Sequence, residues 1–407
     1  MEIRPAQKKD IRPLAELWAH AFPGERTVEQ RIRQLEAGGV YGGIETAWIS
    51  GDGGHAQGAF RAYRLQQYLH GGIVPMMGLA AVAVAASARR RGLGAELCRT
   101  ALRHARERGD VLSVLYPFRP SFYEALGWGL AGTMLSFRFL PESLPVTHAA
   151  PDVIELRDPV TVIAPCYDRV APRLNGMIDR TSRIWRQHLD WPDVHVYGTM
   201  RGGECVAYAI VHHGAQPRAE DRQLTIRELI AIDDDAYARM LSWVALQREA
   251  WRIVQYETRP SERLDLRLVE PRTAGEPPVR ALWAEVARAA RGPMVRVVNV
   301  KLALESRQQW GTHAVGCRFT LRIADRELPQ NGGPFNVMVS DGRARVTDGD
   351  PFDTCIDVGA PAFAQIFAGE MSVSEAVRLG KARVTGDVSV LDALFEPRSE
   401  FVLLDEF

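Results

Sequence analysis

The sequence predicts an α/β (α+β) fold, with two tandem mixed-sheet domains followed by a third mixed-sheet region. An apolar run at 79–84 leads through a turn of arginines and glycines into an amphipathic helical pattern that starts at residue 93. The order of strand, turn and helix recurs at 224–250, and from residue 294 short alternating segments precede helical ones. We expect three domains, over 1–150, 151–290 and 291–407.

The composition is that of a globular protein with a sizeable core. Of 407 residues, 46% are hydrophobic and 25% are charged, and 50 lysines and arginines balance 50 aspartates and glutamates. A balanced charge gives no reason to expect nucleic acid or a membrane surface as a partner. We therefore expect neither of these as a partner.

Cysteine usage predicts a reducing compartment. The five cysteines, at positions 98, 166, 205, 317 and 355, lie far apart and form no Cys-x-x-Cys pair, so neither a disulfide framework nor a metal site is expected. The first residues lack an apolar signal core, and no apolar run is long enough to span a bilayer. The expected location is the cytoplasm.

The first region alternates helical and strand-like segments. Asp10 precedes an apolar-periodic stretch and is a candidate N-cap for a helix over 11–18. A glycine-rich turn at 51–54 separates two strand-like segments, as in a hairpin. In chain order the segments are a strand at Ile3, helices at 11–18 and 27–37, strands at 41–49, 57–65 and 79–84, a helix from residue 93, and a strand at 111–116.

The turn between the strand at 79–84 and the following helix has the chemistry of a pyrophosphate cradle. The first N–H groups of a helix have no partner within the helix and lie at its positive end, so they bind anions. Gly92 and Gly94 lack a Cβ, which lets a phosphate approach the backbone, and Arg89, Arg90 and Arg91 add positive charge. The alternative is a solvated arginine cluster at an ordinary turn.

The spacing Arg89-x-x-Gly92-x-Gly94, after Val82-Ala83-Val84 and before an amphipathic helix, resembles the acetyl-coenzyme A loop of the GCN5-related N-acetyltransferases. The resemblance implies that acetyl-coenzyme A is a co-substrate, that the Val82 N–H polarises its thioester carbonyl, and that the Val84 backbone pairs with its pantetheine arm. It further implies that the pyrophosphate is held by Arg89, Arg90, Gly92, Leu93 and Gly94. Cys98 lies near the apolar face of the helix and is not expected to carry an acyl group.

A second motif follows at 122–128, Phe-Tyr-Glu-Ala-Leu-Gly-Trp, where Ser121 can cap a very short helix that ends at Gly127. It resembles an element of the same family in which the tyrosine lies beside the coenzyme sulfur. The resemblance makes Tyr123 the candidate general acid, since a phenol with a pKa near ~10 can protonate a leaving thiolate. The alternative is a tyrosine that only packs.

The second region, after a proline-containing linker at 141–151, repeats the pattern without the cradle. Its turn reads Ala231-Ile232-Asp233-Asp234-Asp235, with three carboxylates and neither glycine nor arginine, and it would repel a pyrophosphate. We expect a degenerate acetyltransferase-like domain with a structural or substrate-gating role. Its segments are strands at 206–212, 224–232 and 252–256 and a helix at 235–250.

The third region carries a pattern of small, aromatic and acidic residues in the order Ala360-x-x-Phe363, Gly369, Glu375-Ala376, Gly380, Val384 and Gly386. This order resembles the sterol carrier-type fold, a mixed sheet with helices over one face. Its predicted strands are 297–302, 316–323, 333–340 and 342–346, and its predicted helices are 360–367, 372–379 and 389–395. Two acetyltransferase-like regions followed by this one resemble the Eis (enhanced intracellular survival) family of N-acetyltransferases. The resemblance implies acetyl transfer to a primary amine (aminoglycoside-, polyamine- or lysine-like) by direct attack in a ternary complex, and a homo-oligomer, a hexamer.

The family resemblance also assigns a role to the end of the chain. It makes the α-carboxylate of Phe407 the candidate base, with the phenyl ring as its anchor, because the acceptor arrives as an ammonium ion and must lose a proton. A docked but inert tail is the alternative. In the family, aromatic residues of the early helices line the amine pocket, which here implies Trp18 and Phe22, with Glu25 as a further candidate, against ordinary core packing.

A different function class is a lipid- or sterol-binding protein in which the first domain is vestigial. Sterol carrier folds hold apolar ligands in a tunnel, and residues 379–395 could line one. The intact loop of glycines and arginines argues against a vestigial first domain.

Overall fold

The computed structural model describes residues 2–52, 54–213, 222–277, 279, 283–311 and 316–407. The chain divides into two compact units. The first contains Met1–Ala131, Gly292–Phe401 and Glu406–Phe407, and the second contains Gly132–Arg291 and Val402–Asp405. Among the described residues the strands form two seven-stranded sheets and one five-stranded sheet, each combined with helices, which confirms the predicted α/β class.

The first sheet belongs to the first unit and has the strand order β1-β2-β3-β4-β5-β14-β6. Its strands are β1 (Ile3–Pro5), β2 (Ala47–Asp52), β3 (His55–Leu69), β4 (Gly72–Val84), β5 (Leu112–Leu115), β6 (Gly129–Leu130) and β14 (Met294–Val297). The pair β4–β5 is parallel and the other neighbours are antiparallel. β14 arrives from far along the chain and pairs with β5, where Met294 faces Leu115.

The helices associated with this sheet are α1 (Ile11–Ala21), α2 (Val28–Ala37), α3 (Leu93–Arg108) and α4 (Pro120–Glu124). The buried face of α3, which includes Leu97 and Leu102, packs against Phe60 and Met77. Apolar residues at helical spacing thus hold α3 against the strands that precede it, as the periodicity predicts.

Three local predictions for the first region were wrong. Asp10 does not cap α1, because its carboxylate accepts a hydrogen bond from the Gln7 N–H at 2.8 Å and pairs with Arg4 at 2.7 Å. Arg119, rather than Ser121, is the N-cap of α4, and Pro120 takes the first helical position. The strand predicted at 41–49 begins only at Ala47 and continues into the hairpin turn, of which residue 53 lies outside the described residues.

The second sheet belongs to the second unit, in the order β13-β7-β12-β11-β10-β9-β8. Its strands are β7 (Thr133–Phe139), β8 (Val153–Glu155), β9 (Val194–Arg201), β10 (Glu204–His213), β11 (Gln223–Ala231), β12 (Ile253–Thr258) and β13 (Arg288–Arg291). Its helices are α5 (Pro159–Val170), α6 (Ser182–Leu189), α7 (Asp234–Ala245) and α8 (Leu264–Arg267). The helix predicted at 235–250 is α7, which ends at Ala245 and continues only as a tighter 3-10 turn, Leu246–Glu249.

Sheet membership crosses the domain boundaries expected from the sequence. β7 lies within the expected domain 1–150 but pairs with β12 and β13 of the second sheet. β14 lies within the expected domain 291–407 but fills the gap between β5 and β6 in the first sheet. Strand pairing between distant segments leaves no signal in local composition, so these exchanges could not be read from the pattern.

The third sheet, in the first unit, has the order β17-β16-β15-β18-β19. It contains β15 (Cys317–Ala324), β16 (Phe335–Ser340), β17 (Arg343–Thr347), β18 (Cys355–Gly359) and β19 (Ala382–Thr385). Its helices are α9 (Val300–Ser306), α10 (Ala360–Ala368), α11 (Val373–Arg378) and α12 (Val388–Phe395). The strand predicted at 297–302 was wrong, because the Asn299 side chain accepts the Leu302 N–H and caps α9 instead.

Candidate active site

β4 loses its parallel neighbour partway along its length. Its pairing with β5 ends where Gly78 faces Val114, whereas pairing with β3 continues to Val84. A register shift opposite Phe60 and a positive φ of 48° at Ala81 mark a bulge in this stretch. Among the described strands, the β5 side of 79–84 therefore has no partner strand, although the Arg89 Nε donates to the Val84 carbonyl at 3.4 Å. The backbone groups on that side that no side chain contacts can meet a ligand.

Val82 and Val84, the two residues expected to meet the coenzyme, lie on this open part of β4 and are half-buried. The Trp18 indole N–H donates to the Ala81 carbonyl at 2.7 Å and holds the bulge from the side of α1. The bulge thus has a specific support, which the sequence pattern did not indicate.

The turn after β4 exposes its cations and leaves a helix end without a side-chain cap. Arg89, Arg90 and Arg91 are exposed, and within the described chain none of them pairs with a carboxylate. Gly92 has a φ of +81°, a conformation that favours glycine, and α3 begins directly after it without a side-chain cap. The first N–H groups of α3 are thereby available to an anion.

Gly94 lies where three elements meet. A Cβ placed on Gly94 would contact the Phe122 ring at 3.6 Å and the Val84 side chain at 3.7 Å. The structure therefore brings the end of β4, the start of α3 and the helix α4 together in one place. Leu93, beside it, is buried against the core under α3.

The corresponding helix end in the second unit is already occupied by a carboxylate. Asp233 accepts a hydrogen bond from the Ala236 N–H at 2.8 Å and pairs with Arg201 at 2.7 Å. The side chain that caps α7 thus takes the place that an anion would need.

Tyr123 lies on α4 and is only 3% exposed. Its ring contacts those of Phe118, Phe122 and Trp128, with centroids 5.7, 5.0 and 6.1 Å away. Burial, with a smaller contribution from Cys98, raises the pKa of its phenol above the ordinary value. The hydroxyl therefore stays protonated at neutral pH.

Cys98 is fully buried in α3, and burial raises the pKa of its thiol to about 12. The sulfur is therefore protonated and a poor nucleophile at neutral pH. Among the described residues, no group of three or more histidine, cysteine, aspartate or glutamate side chains is placed to hold a metal ion. Every helix of the described chain is also too short or too polar to cross a bilayer.

The last residue packs at the point where β4 and β5 separate. A Cβ on Gly78 would lie 2.8 Å from the Phe407 ring. Tyr41, Tyr63 and Tyr116 surround that ring, with centroids 6.0, 6.3 and 5.8 Å away, and the Tyr41 hydroxyl donates to the Glu406 carbonyl at 3.1 Å. This box of three tyrosines was not predicted from the sequence, where Tyr41, Tyr63 and Tyr116 were assigned only to three separate strands.

Two arginines that the sequence analysis missed lie among the residues expected to bind the acceptor amine. Arg31 is 5.9 Å above the Phe22 ring and 3.4 Å from the Glu25 carboxylate, which is 60% exposed. Arg61 lies 6.0 Å from the Trp18 ring and 4.9 Å from the Tyr63 ring. Trp18 itself is 2% exposed.

Family models match the chain in three successive segments. Acetyltransferase (GNAT) domains match residues 2–131 and 176–297, and a sterol carrier protein domain matches residues 300–403. These matches confirm the expected order of two acetyltransferase folds and a sterol carrier fold.

Several relatives match most of the chain. An N-acetyltransferase of Streptomyces avermitilis is 25% identical over 95% of this chain and 95% of its own length. The N-acetyltransferase Eis of Mycobacterium tuberculosis is 26% identical over 68% of this chain and 67% of its own length.

Among solved structures, a GCN5-related N-acetyltransferase from Anabaena variabilis has a TM-score of 0.84 at 21% identity, with both chains covered completely. Eis1 from Mycobacterium abscessus has a TM-score of 0.78 at 19% identity, also with complete coverage of both chains. These two proteins share the fold. Two acetyltransferase (GNAT) domains that together span more than half of the chain, with N-acetyltransferases such as Eis among its relatives, place the chain in the GCN5-related N-acetyltransferase family, and it is therefore an acyltransferase.

Proposed function

We propose that the enzyme transfers an acetyl group from acetyl-coenzyme A to a primary amine by direct attack within a ternary complex. The observation that carries this proposal is the start of α3, where uncapped N–H groups adjoin three exposed arginines. A diphosphate supplies both the acceptor atoms and the negative charge that such a helix end lacks. The unpaired edge of β4 beside it suits an extended pantetheine arm.

In the proposed complex the open part of β4 binds the reacting end of the coenzyme. The Val82 N–H donates to the thioester carbonyl oxygen, which gains negative charge as the amine attacks. The Val84 backbone pairs with the pantetheine amides. The pyrophosphate is held by Arg89, Arg90, Gly92, Leu93 and Gly94.

The proton transfers are assigned to two groups. The α-carboxylate of Phe407 takes a proton from the acceptor ammonium, which frees the nitrogen lone pair to attack the thioester carbon. Tyr123 donates its phenolic proton to the coenzyme sulfur as the carbon–sulfur bond breaks. What supports this role is the position of Tyr123 on α4, next to Phe122, whose ring lies beside Gly94 at the start of α3.

The acceptor is proposed to be an aminoglycoside-, polyamine- or lysine-like amine bound near Trp18, Phe22 and Glu25. The exposed Glu25 carboxylate supports the choice of a cationic acceptor, whereas Arg31 beside it opposes a highly charged one. We also propose, from the family resemblance, that the enzyme acts in the cytoplasm as a homo-oligomer, a hexamer. Light scattering coupled to size-exclusion chromatography measures that assembly.

A calorimetric titration with coenzyme A, followed by a thiol-release screen of aminoglycosides, polyamines and lysine peptides, tests the proposed function. We expect micromolar coenzyme binding and thiol release with at least one amine class. Lipid uptake without coenzyme binding would instead favour the lipid-carrier alternative for the third sheet. Leu379 begins the stretch that could line a lipid tunnel, and its side chain is 58% exposed, whereas a side chain that lines an enclosed tunnel is buried.

A further inference from the structure

The second unit has a cleft that corresponds in topology to the open edge of β4. The parallel pairing of β11 and β12 ends where Ile226 faces Tyr256, and both strands continue beyond that point. A cavity of about 420 Å³ lies there, and Val402 and Leu404 from the end of the chain are among the residues that line it. The part of this fold that would hold a coenzyme in a working domain therefore borders the chain's own C-terminal segment.

An ion-pair cluster joins this segment to the fold. Arg180 donates through both terminal nitrogens to the Glu228 carboxylate, at 2.9 and 2.7 Å, and through Nε to Asp405, at 2.9 and 3.1 Å. Glu228 lies on β11 two residues beyond its last pairing with β12. The side chains of Arg180, Glu228 and Asp405 are all 0% exposed.

Neighbouring aromatic rings and hydrogen bonds hold the Arg180 guanidinium in position for its contact with Asp405. The Arg180 carbon Cζ lies 4.3 Å from the Tyr167 ring centroid and 4.5 Å from that of Trp185. Tyr208 donates its hydroxyl to Glu228, and the Val402 N–H donates to the Asn175 carbonyl at 2.7 Å. The rings and Glu228 thus hold the guanidinium that binds Asp405, and the Asn175 carbonyl binds Val402 directly.

Burying this ion-pair cluster costs free energy unless every charge in it keeps its partner. A buried charge that loses its partner costs several kcal/mol, so Asp405 and Arg180 each stabilise the other in this place. An exposed, frayed segment would avoid the whole desolvation cost, so the full burial of Asp405, two residues before Phe407, indicates that the fold holds this segment in place.

We infer that the cleft of the second acetyltransferase-like fold is a receptor for the chain's own C-terminal segment, 402–405, and that Arg180 is a positioning residue for Phe407. Only Glu406 separates Asp405 from Phe407 in the chain. Holding Asp405 therefore limits how far the terminal carboxylate can move. The catalytic consequence rests on the proposed role of Phe407, whereas the anchoring itself does not.

Release of Phe407 by a carboxypeptidase that prefers aromatic C-terminal residues tests the anchoring. The rate is followed by intact mass and divided by the rate for the same protein unfolded in urea, which removes the effect of local sequence. In Asp405→Asn we expect the normalised release to rise at least ~10-fold over the wild-type protein, because a buried ion pair is lost. Glu406→Gln, which neutralises the adjacent exposed carboxylate, should release Phe407 at the wild-type rate.

Equal release from Asp405→Asn, Glu406→Gln and the wild-type protein would overturn the inference. Arg180→Met should also raise the release of Phe407. If that variant fails to fold, Asp405→Asn still decides the question, because it retains the Arg180–Glu228 pair. Hydrogen exchange of the Val402 amide gives a second measurement, and we expect faster exchange in Asp405→Asn only.

Measuring kcat together with the Kd for coenzyme A tells whether Asp405 positions Phe407 or only stabilises the fold. Asp405→Asn should lower kcat by ~10-fold or more while the Kd for coenzyme A stays unchanged, since the coenzyme site lies in the first unit. If deleting Phe407 leaves kcat unchanged, the proposed base is wrong, yet the carboxypeptidase result still decides the anchoring.

Discussion

At the scale of single residues, Gly78 leaves the space that the Phe407 ring occupies. It is the last residue of β4 that pairs with β5, and the Phe407 ring lies where its side chain would be. A single missing methyl group thus places the terminal residue at the point where the strands separate.

Removing Phe407 tests the proposed base directly. We expect turnover to fall at least ~10-fold, because no other group is assigned to take the proton from the ammonium, while the Kd for coenzyme A is unchanged. The control is a chain extended by one glycine, which keeps the phenyl ring and moves the carboxylate. Turnover equal to wild type in both variants would rule out the role.

Gly78→Ala should displace the Phe407 ring and leave the fold intact. The added Cβ would lie 2.8 Å from the ring, and a terminal side chain can move more easily than a strand. We expect a lower kcat with little change in melting temperature. An unchanged kcat would show that the position of the ring is not important for turnover.

Tyr123→Phe removes the proposed acid and keeps the packing. We expect kcat to fall by ~10²-fold, in the usual range for a general acid, with the melting temperature almost unchanged. Trp128→Phe, a neighbour in the same aromatic cluster, serves as the comparison for packing. A kcat that follows stability in both variants would assign Tyr123 to packing alone.

At the scale of elements, two helices that follow equivalent strands differ at their first turn. α3 begins after Gly92 with no side-chain cap, whereas Asp233 caps α7. The helix dipole is the same in both, so the side chains of the preceding turn decide whether an anion can bind. One carboxylate is enough to close the second of these helix ends.

The arginines before α3 should account for much of the coenzyme affinity. The double variant Arg89→Gln with Arg90→Gln is expected to raise the Kd for coenzyme A about 10-fold at low salt and less at high salt, because exposed charges are screened. Calorimetry at two salt concentrations measures this difference. Arg103→Gln, which removes an exposed arginine paired with Glu96 on α3, should have no effect on binding.

At the scale of the whole molecule, the described chain combines two acetyltransferase folds, and each of its two units buries an arginine paired with a carboxylate, Arg296 with Asp325 in the first and Arg180 with Glu228 and Asp405 in the second. The second buries the Arg180–Glu228–Asp405 cluster, a feature that ordinary hydrophobic patterning does not predict. Burial alone raises the pKa of the Glu228 carboxyl, but Arg180 and His188 outweigh burial, and the pKa lies below its ordinary value of 4.5.

This lowered pKa predicts how stability depends on pH. Because the folded-state pKa is below the unfolded one, the contribution of Glu228 is complete above pH 4.5 and is lost as the pH falls further. Glu228→Gln should lower the free energy of unfolding by about 3–5 kcal/mol at pH 7, and by less at pH 3. Urea unfolding at both pH values measures the two differences, and equal differences would contradict the prediction.

Local patterns in the sequence determined the fold class, the glycine and arginine turn, and most of the strands and helices. These features depend on neighbouring residues, as periodicity, β-branching and glycine at positive φ all do. The same reasoning failed where a polar side chain bonded to an unexpected partner. Asp10 accepts a hydrogen bond from the Gln7 N–H and pairs with Arg4 instead of capping α1. Asn299 caps α9, so the apolar run predicted as a strand forms a helix.

Only the tertiary structure decided which sheet each strand joins, what surrounds Phe407, and where Asp405 is held. β14 in the first sheet, the three tyrosines around the terminal ring, and the pairing of Arg180 with Asp405 all join residues far apart in the chain. Such contacts depend on long-range pairing and on the burial of charge. Neither leaves a period or a local motif, because the free energy comes from groups that meet only after the chain has folded.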